Sequence, residues 1–326
     1  MSLSLICVKQ IIIMFLLVGV GFMCGRTKII DKQTNSKLSS FVLDIVNPVL
    51  IFMSYQQAFD IELLKGLGLS IGLGLCSYAL IFAVLALLFR KNGTDEAVVA
   101  KFAAVYSNCG FMGIPLIRGL FGAEGVLYMT GYLTVFNIFV WTHGLTLFSK
   151  GKTALSVRKI ITSPSIIAII LGIISYVTGF RLNEIPAGIK VFSLPLYSIL
   201  SFVGELFSSA AQYIADCNTP LAMICAGVTI SLTDIRQHIQ NKNVYLAIGL
   251  RLLVCPLLFW VIFRFFAIPE TVFMTVLIAS GCPAAATGTM FALKFNNNAE
   301  MSAVIFASTT ILSAMTLPLL VMLATV

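Results

Sequence analysis

Residues 107–118 read SNCGFMGIPLIR, inside an otherwise apolar run. From Asn108 to Pro115 the stretch holds two glycines, an asparagine and a proline, all poor helix formers. A span meant only to cross lipid keeps its helix whole, because no water is there to satisfy a freed N–H or C=O. Pro115 has no N–H to donate to the carbonyl of Phe111. Broken backbone at bilayer depth is tolerated only where protein buries it or where it lines a wet cavity. In a membrane protein, this stretch predicts a helix interrupted for binding.

Composition supplies the membrane. Of the 326 residues, 59% are hydrophobic and 10% charged, against about a quarter charged in soluble domains. Mean hydropathy is +1.01. Apolar runs of about 20 residues, the length that spans a hydrocarbon core, recur from end to end. They predict an all-α polytopic membrane protein with ten transmembrane helices, near 5–25, 38–58, 66–90, 97–121, 124–149, 161–181, 197–232, 243–266, 269–293 and 299–324. The seventh run is too long for one straight span and reads as a span with an amphipathic lead-in at 197–212. Around the first run the basic cluster, Arg26 and Lys28, follows the apolar stretch, the pattern of a retained span rather than a cleaved leader. The eight cysteines are scattered without a C-x-x-C pair. They read as small buried hydrophobes, not as a metal centre or disulfide framework.

The net charge of +8 is sorted along the chain. Of 21 Lys and Arg residues, fourteen fall in loops after odd-numbered spans, among them Arg26 to Lys37, Lys150 to Lys159, and Lys294. Six fall at the N-terminus and in even-numbered loops, and Arg251 lies within a span. The positive-inside rule then places both termini outside the cell membrane and the 149–160 linker in the cytoplasm. Topology explains the charge, so no nucleic-acid partner is called for.

With five spans on each side of that linker, residues 1–149 and 161–326 have opposite orientations, joined by residues 150–160. DIVNPVLIF (44–52) resembles DCNTPLAMI (216–224), each with Asp four residues before Pro, at an offset of 172. LFGAEGVLYMT (120–130) resembles KFNNNAEMSAVIF (294–306), with Phe121 against Phe295 at an offset of 174. Nearly equal offsets predict a duplication whose second copy is inverted, the plan of many secondary transporters.

On that alignment the fourth span pairs with the ninth, where ASGCPAAATGTMF (279–291) again sets small residues around a proline. Pro283 cannot donate to the carbonyl of Ala279. Breaks in corresponding spans point to a midplane binding site; alone, either proline reads more readily as a plain kink than as a site. A half-helix starting near Pro115 offers free N–H groups and a positive dipole end to an anion. The Asn108 amide suits a carboxylate without carrying charge, and Gly110 and Gly113 let backbone approach a ligand.

The segment NCGFMGIPL (108–116) is similar to the N-x-x-x-M-G-I-P-L segment of the auxin efflux carrier family, which includes plant auxin carriers and bacterial organic-acid permeases. FVLDIVNPVLIF (41–52), NIFVW (137–141), AMICAGVTISL (222–232), RLLVCP (251–256) and FALKFN (291–296) resemble, in order, its second, fifth, seventh, eighth and ninth spans. Asn137 stands where the family has glutamine, and Asp216 where plant carriers also have Asp. The short 150–160 linker resembles the bacterial-type members, which lack the long loop of the plant carriers.

The resemblance implies an inverted five-plus-five repeat with crossed broken helices 4 and 9, related in architecture to bile-acid-type symporters. It also implies a scaffold of helices 1, 2, 6 and 7, and a transport unit of helices 3–5 and 8–10 that moves as an elevator. The substrates implied are small organic anions such as malate, malonate or auxin-like acids. Around the two breaks the candidate binding residues are Asn108, Cys109, Gly110, Gly113, Ile114, Pro115, Cys282, Pro283, Ala284 and Thr287, with Asn137 from the fifth span. A homodimer is expected by analogy with elevator carriers.

Ionisable residues within spans are functional candidates by default. Asp44 and Asp216 occupy equivalent repeat positions, as a proton-coupling pair or as helix caps and partners for Arg251. His143 reads as a proton carrier or as an interhelical hydrogen bond. Oxygens of Thr287, Thr289 and Asn297 are open to sodium. A secondary carrier without cofactor, not an enzyme, is expected. An intramembrane protease using Asp44 and Asp216 lacks the usual aspartate settings, and an anion sensor lacks an output module. For an uncoupled carrier, an inside-negative potential favours anion export by ~2.3 kcal/mol per charge per 100 mV.

Overall fold

The computed structural model describes residues 3–88, 94–149, 162–182, 194–238 and 240–325. Among them every regular element is a helix. In chain order the main ones are α1 Leu3–Arg26, α2 Lys32–Ser54, α3 Ile61–Leu88, α4 Asp95–Val105, α5 Cys109–Phe148 and α6 Pro164–Thr178. There follow α7 Leu194–Asp216, α8 Asn218–Leu232, α9 Lys242–Phe263, α10 Glu270–Gly281, α11 Thr287–Lys294 and α12 Ala299–Ala324. Seven helical segments, counting Ser201–Leu232 as one, are long and apolar enough to cross a membrane, and α6 and α10 are shorter apolar helices. The 150–160 linker, with Arg90, Lys91 and Lys190, lies outside the described residues.

The expected fourth span is split: its first part is α4, and the rest is the opening arm of α5. Helix α5 turns at Gly122, with φ 61° and ψ −143°, a conformation that strains any residue with a Cβ. Its arms, 109–121 and 123–148, therefore meet at one glycine. Helix α2 starts earlier than expected because Asp31 caps it, accepting the Thr34 N–H at 2.7 Å, the usual role of Asp at a helix start.

Three prolines reshape the helices that carry them. Wide π turns at Val42–Val46, Cys109–Gly113 and Leu250–Val254 each end two residues before a proline, at Pro48, Pro115 and Pro256. Proline removes one donor and its ring pushes aside the carbonyl four residues back. The residue just before it then reaches five back: Asn47 to Val42, Ile114 to Cys109, Cys255 to Leu250. Such bulges are frequent at functional sites.

Packing between helices relies on close approach, since lipid gives helices no hydrophobic reason to associate. Helix α1 lies along α8 in backbone contact: a methyl group at Gly227 would overlap the Val18 carbonyl, and one at Gly21 the Ile224 carbonyl. Helix α2 packs on α6 and α7; α3 packs on α5 and α10; α4 packs on α9 and α12. Between α2 and α5, the Tyr55 hydroxyl and Thr130 Oγ1 lie 2.5 Å apart.

Candidate functional site

Helix α4 ends at Val105 and α10 at Gly281. Beyond them Tyr106 (φ −98°, ψ 115°) and Cys282 (φ −60°, ψ 150°) turn the chain extended. The two extended pieces meet in an antiparallel bridge between Ser107 and Ala284. Asn108 N–H donates to the Pro283 carbonyl at 2.7 Å, and Ala285 N–H to the Tyr106 carbonyl at 2.8 Å. Ala284 N–H donates to Thr309 Oγ1 at 3.1 Å. Each break thus satisfies the other, as an interior without water requires.

The two prolines play different parts. Pro115 lies a full turn inside α5, which opens at Cys109 rather than near Pro115 as the sequence suggested, and the π turn Cys109–Gly113 before it takes up its missing N–H. Pro283 lies in the extended piece, and α11 begins only at Thr287.

A cavity of about 520 Å³ opens beside the paired breaks. Its polar lining is Ser107, Asn108, Gly110, Asn137 and Thr287, with Asp44 and Asn47 from α2. Phe111, Phe136, Trp141 and Phe291 make an aromatic wall, and Thr162 to Ser165 at the start of α6 and Lys294 at the end of α11 also line it.

Asn108 is 4% exposed, and its Nδ2 is buried without a partner. Such an unpaired donor costs about 1–3 kcal/mol until a ligand accepts from it. The first hydrogen bond of α5 runs from Met112 N–H to the Asn108 carbonyl, so the N–H groups of residues 109–111 lie in the open first turn beside it. Asn137 spends its Nδ2 on the Leu133 carbonyl at 2.8 Å, which leaves its oxygen for the cavity. The Asn47 oxygen accepts from Asn218 Nδ2. The Thr287 hydroxyl is buried and unpartnered.

Of the candidates read from sequence, Asn108, Gly110, Asn137, Thr287 and Asp44 line this cavity. Cys109, Gly113, Ile114, Pro115, Cys282, Pro283 and Ala284 are buried around the breaks and do not line it. Gly113 is there for packing, not for ligand approach: a Cβ would come within 2.8 Å of the Met129 methyl and 3.4 Å of Cys282 Sγ. At Gly110 a Cβ would meet only Asn47 Nδ2, at 3.6 Å. Sequence reasoning passed over Asn47, Ser107, Phe136, Phe291 and Lys294. Only Asn47 carried a signal, as a polar residue set directly before a proline within a span.

The in-span charges have separate surroundings. Asp216 is exposed, pairs with Arg118 at 2.5 Å and accepts from Gln212 at 2.8 Å. It neither lines the cavity nor meets Arg251, the partner that sequence reasoning offered it. Asp44 does line the cavity. His143 Nδ1 lies 2.9 Å from the Tyr106 hydroxyl, which also reaches the Phe139 carbonyl at 2.8 Å. Thr289 bonds to Ser302 at 3.3 Å, and Asn297 accepts from the Asn298 N–H at 2.7 Å.

Broken helices paired beside a part-polar cavity, within an apolar helical bundle, are the build of a membrane transport protein. The sequence model of the family described as Membrane transport protein matches residues 6–157 and 153–321. The chain belongs to this family, that of the auxin efflux carriers. It is 26% identical over 316 residues to a protein of Methanothermobacter thermautotrophicus named "Uncharacterized transporter", covering 95% of this chain and 96% of that one. It is also 26% identical over 228 residues to the "Putative malonate transporter" of Rhizobium meliloti, covering 68% of this chain and 66% of that one.

Proposed function

We propose that the protein is a secondary transporter of small organic anions and that it binds the substrate carboxylate where the two broken helices meet. The observation that carries this reading is the unpaired Nδ2 of Asn108 beside the open first turn of α5. Neutral donors and a helix N-terminus receive a carboxylate without a buried countercharge. The aromatic wall suits the apolar body of a carboxylic acid, and the likeness to a protein named for malonate supports a carboxylate.

The ten-span inverted repeat is part of the proposal. Its spans four and nine are α4 with the first arm of α5, and α10 with α11. The packing of α1 on α8, and of α2 on α6 and α7, supports a scaffold. The packing of α3, α4 and α5 with α9, α10 and α12 supports a unit that moves against it as an elevator. Lys294 and the start of α6, both on the linker side, line the cavity. With the linker cytoplasmic, this is a conformation open to the inside. Asp44, as the acid in the cavity, favours a second reading in which a proton accompanies the anion.

Flux in proteoliposomes tests the function. Labelled malonate, malate or indole-3-acetate is expected to exchange across the membrane, and Asn108→Ala to abolish the exchange. No movement of any of the three, under a pH gradient or a potential, overturns the reading.

A further inference from the structure

One buried cation has no part in the cavity. Arg251, on α9, is 2% exposed, and its partners are carbonyl oxygens. Nη1 donates to Ala104 at 3.1 Å and to Val105 at 2.8 Å, and Nη2 donates to Ser280. Ala104 and Val105 close α4, and Ser280 lies in the last turn of α10.

A helix C-terminus leaves carbonyls unpaired and carries partial negative charge. Here two such ends stop inside the bundle, where no water serves them. A guanidinium is a planar fork of five donors that always carries its charge, so it grips two carbonyl groups in fixed geometry. An ammonium is a compact point charge on a flexible stem and imposes no such geometry. The grip is symmetric in sequence. Val105 stands three residues before Asn108, and Ser280 stands three before Pro283; Asn108 and Pro283 form one of the two backbone bonds across the breaks.

We infer that Arg251 is a positioning residue for the substrate site: its guanidinium fixes the ends of α4 and α10 relative to each other, and so places Asn108 and the first turn of α5. The inference rests on the proposed carboxylate site. It assigns Arg251 no contact with substrate.

The test is titration of the purified full-length protein with malonate, or with indole-3-acetate where malonate does not bind, for wild type, Arg251→Lys and Arg251→Met. Unfolding midpoints without ligand are measured alongside. Replacing a residue that holds metal ligands from behind weakens metal affinity by roughly 10- to 100-fold, and by analogy a loss of about tenfold or more in malonate affinity is expected in Arg251→Lys, which keeps the charge but not the fork. Arg251→Met is expected to lose at least as much. A folded Arg251→Lys protein with wild-type affinity, whatever its midpoint, overturns the inference and leaves the carboxylate site standing. If neither variant folds, Arg251 serves the fold and the inference is likewise overturned. Wild type that binds neither acid removes the site reading and this inference together.

Discussion

The backbone N–H of Asn108 donates to the carbonyl of Pro283 at 2.7 Å, so each broken helix supplies the partner that the other lost. That bond leaves the Asn108 side chain free for a different task. Asn108→Ala keeps the backbone bond and removes a buried unpaired donor, so stability in detergent is expected to hold or rise slightly. A hydrogen bond to a charged group contributes about 1.5–3 kcal/mol, so carboxylate affinity is expected to fall at least tenfold. Parallel unfolding curves and ligand titrations check both halves. A large loss of stability with intact affinity contradicts the assignment.

The hinge between the arms of α5 is a single glycine. Gly122 has nothing within 4 Å of an added Cβ, yet its φ of 61° disfavours one. Gly122→Ala is expected to destabilise the protein by about 1–3 kcal/mol, through backbone strain alone. An unchanged unfolding midpoint contradicts the kink.

Contact between α1 and α8 makes the opposite prediction for space. At Gly227 an added Cβ overlaps backbone of α1, while Gly68 and Gly72 on α3 have nothing within 4 Å. Gly227→Val is expected to cost about 1–3 kcal/mol or more. Gly72→Ala is expected to be neutral or stabilising by up to about 1 kcal/mol. Equal effects in a thermal-unfolding series contradict the close packing.

Asp44 and Asp216 are expected to separate in their effects. The Arg118–Asp216 pair is partly exposed, with side chains 31% and 51% accessible, and pairs of that kind contribute under about 1 kcal/mol. Asp216→Asn is expected to leave stability and the pH dependence of flux nearly unchanged. Asp44→Asn, in the cavity, is expected to flatten that dependence if a proton accompanies the anion. Flux measured across a pH series decides; a flattened profile in Asp216→Asn contradicts the assignment.

Sequence carried the helical class, the two breaks and the place of Asn108 at one of them, because lipid makes a broken helix conspicuous: glycines and a proline at 110–115 and small residues around Pro283 stand out in an apolar run. What the breaks do with their freed groups was not legible. The Ser107–Ala284 bridge and the bonds from Arg251 to Ala104 and Val105 join positions more than a hundred residues apart, and all of them end on backbone atoms, which leave no mark in side-chain pattern. Arg251 read as a structural partner for an aspartate or as an attraction for anions, because charge alone is visible in sequence, whereas helix ends carry theirs invisibly. The aromatic wall, Phe136 and Phe291 among it, was hidden by abundance: with 25 phenylalanines in the chain, none is singled out by type.

A density map of the protein with malonate bound tests the central claim most directly. The account predicts a carboxylate within about 2.7–3.2 Å of Asn108 Nδ2 and of the N–H groups at the start of α5. Malonate found elsewhere, with Asn108 Nδ2 still unpartnered, contradicts it.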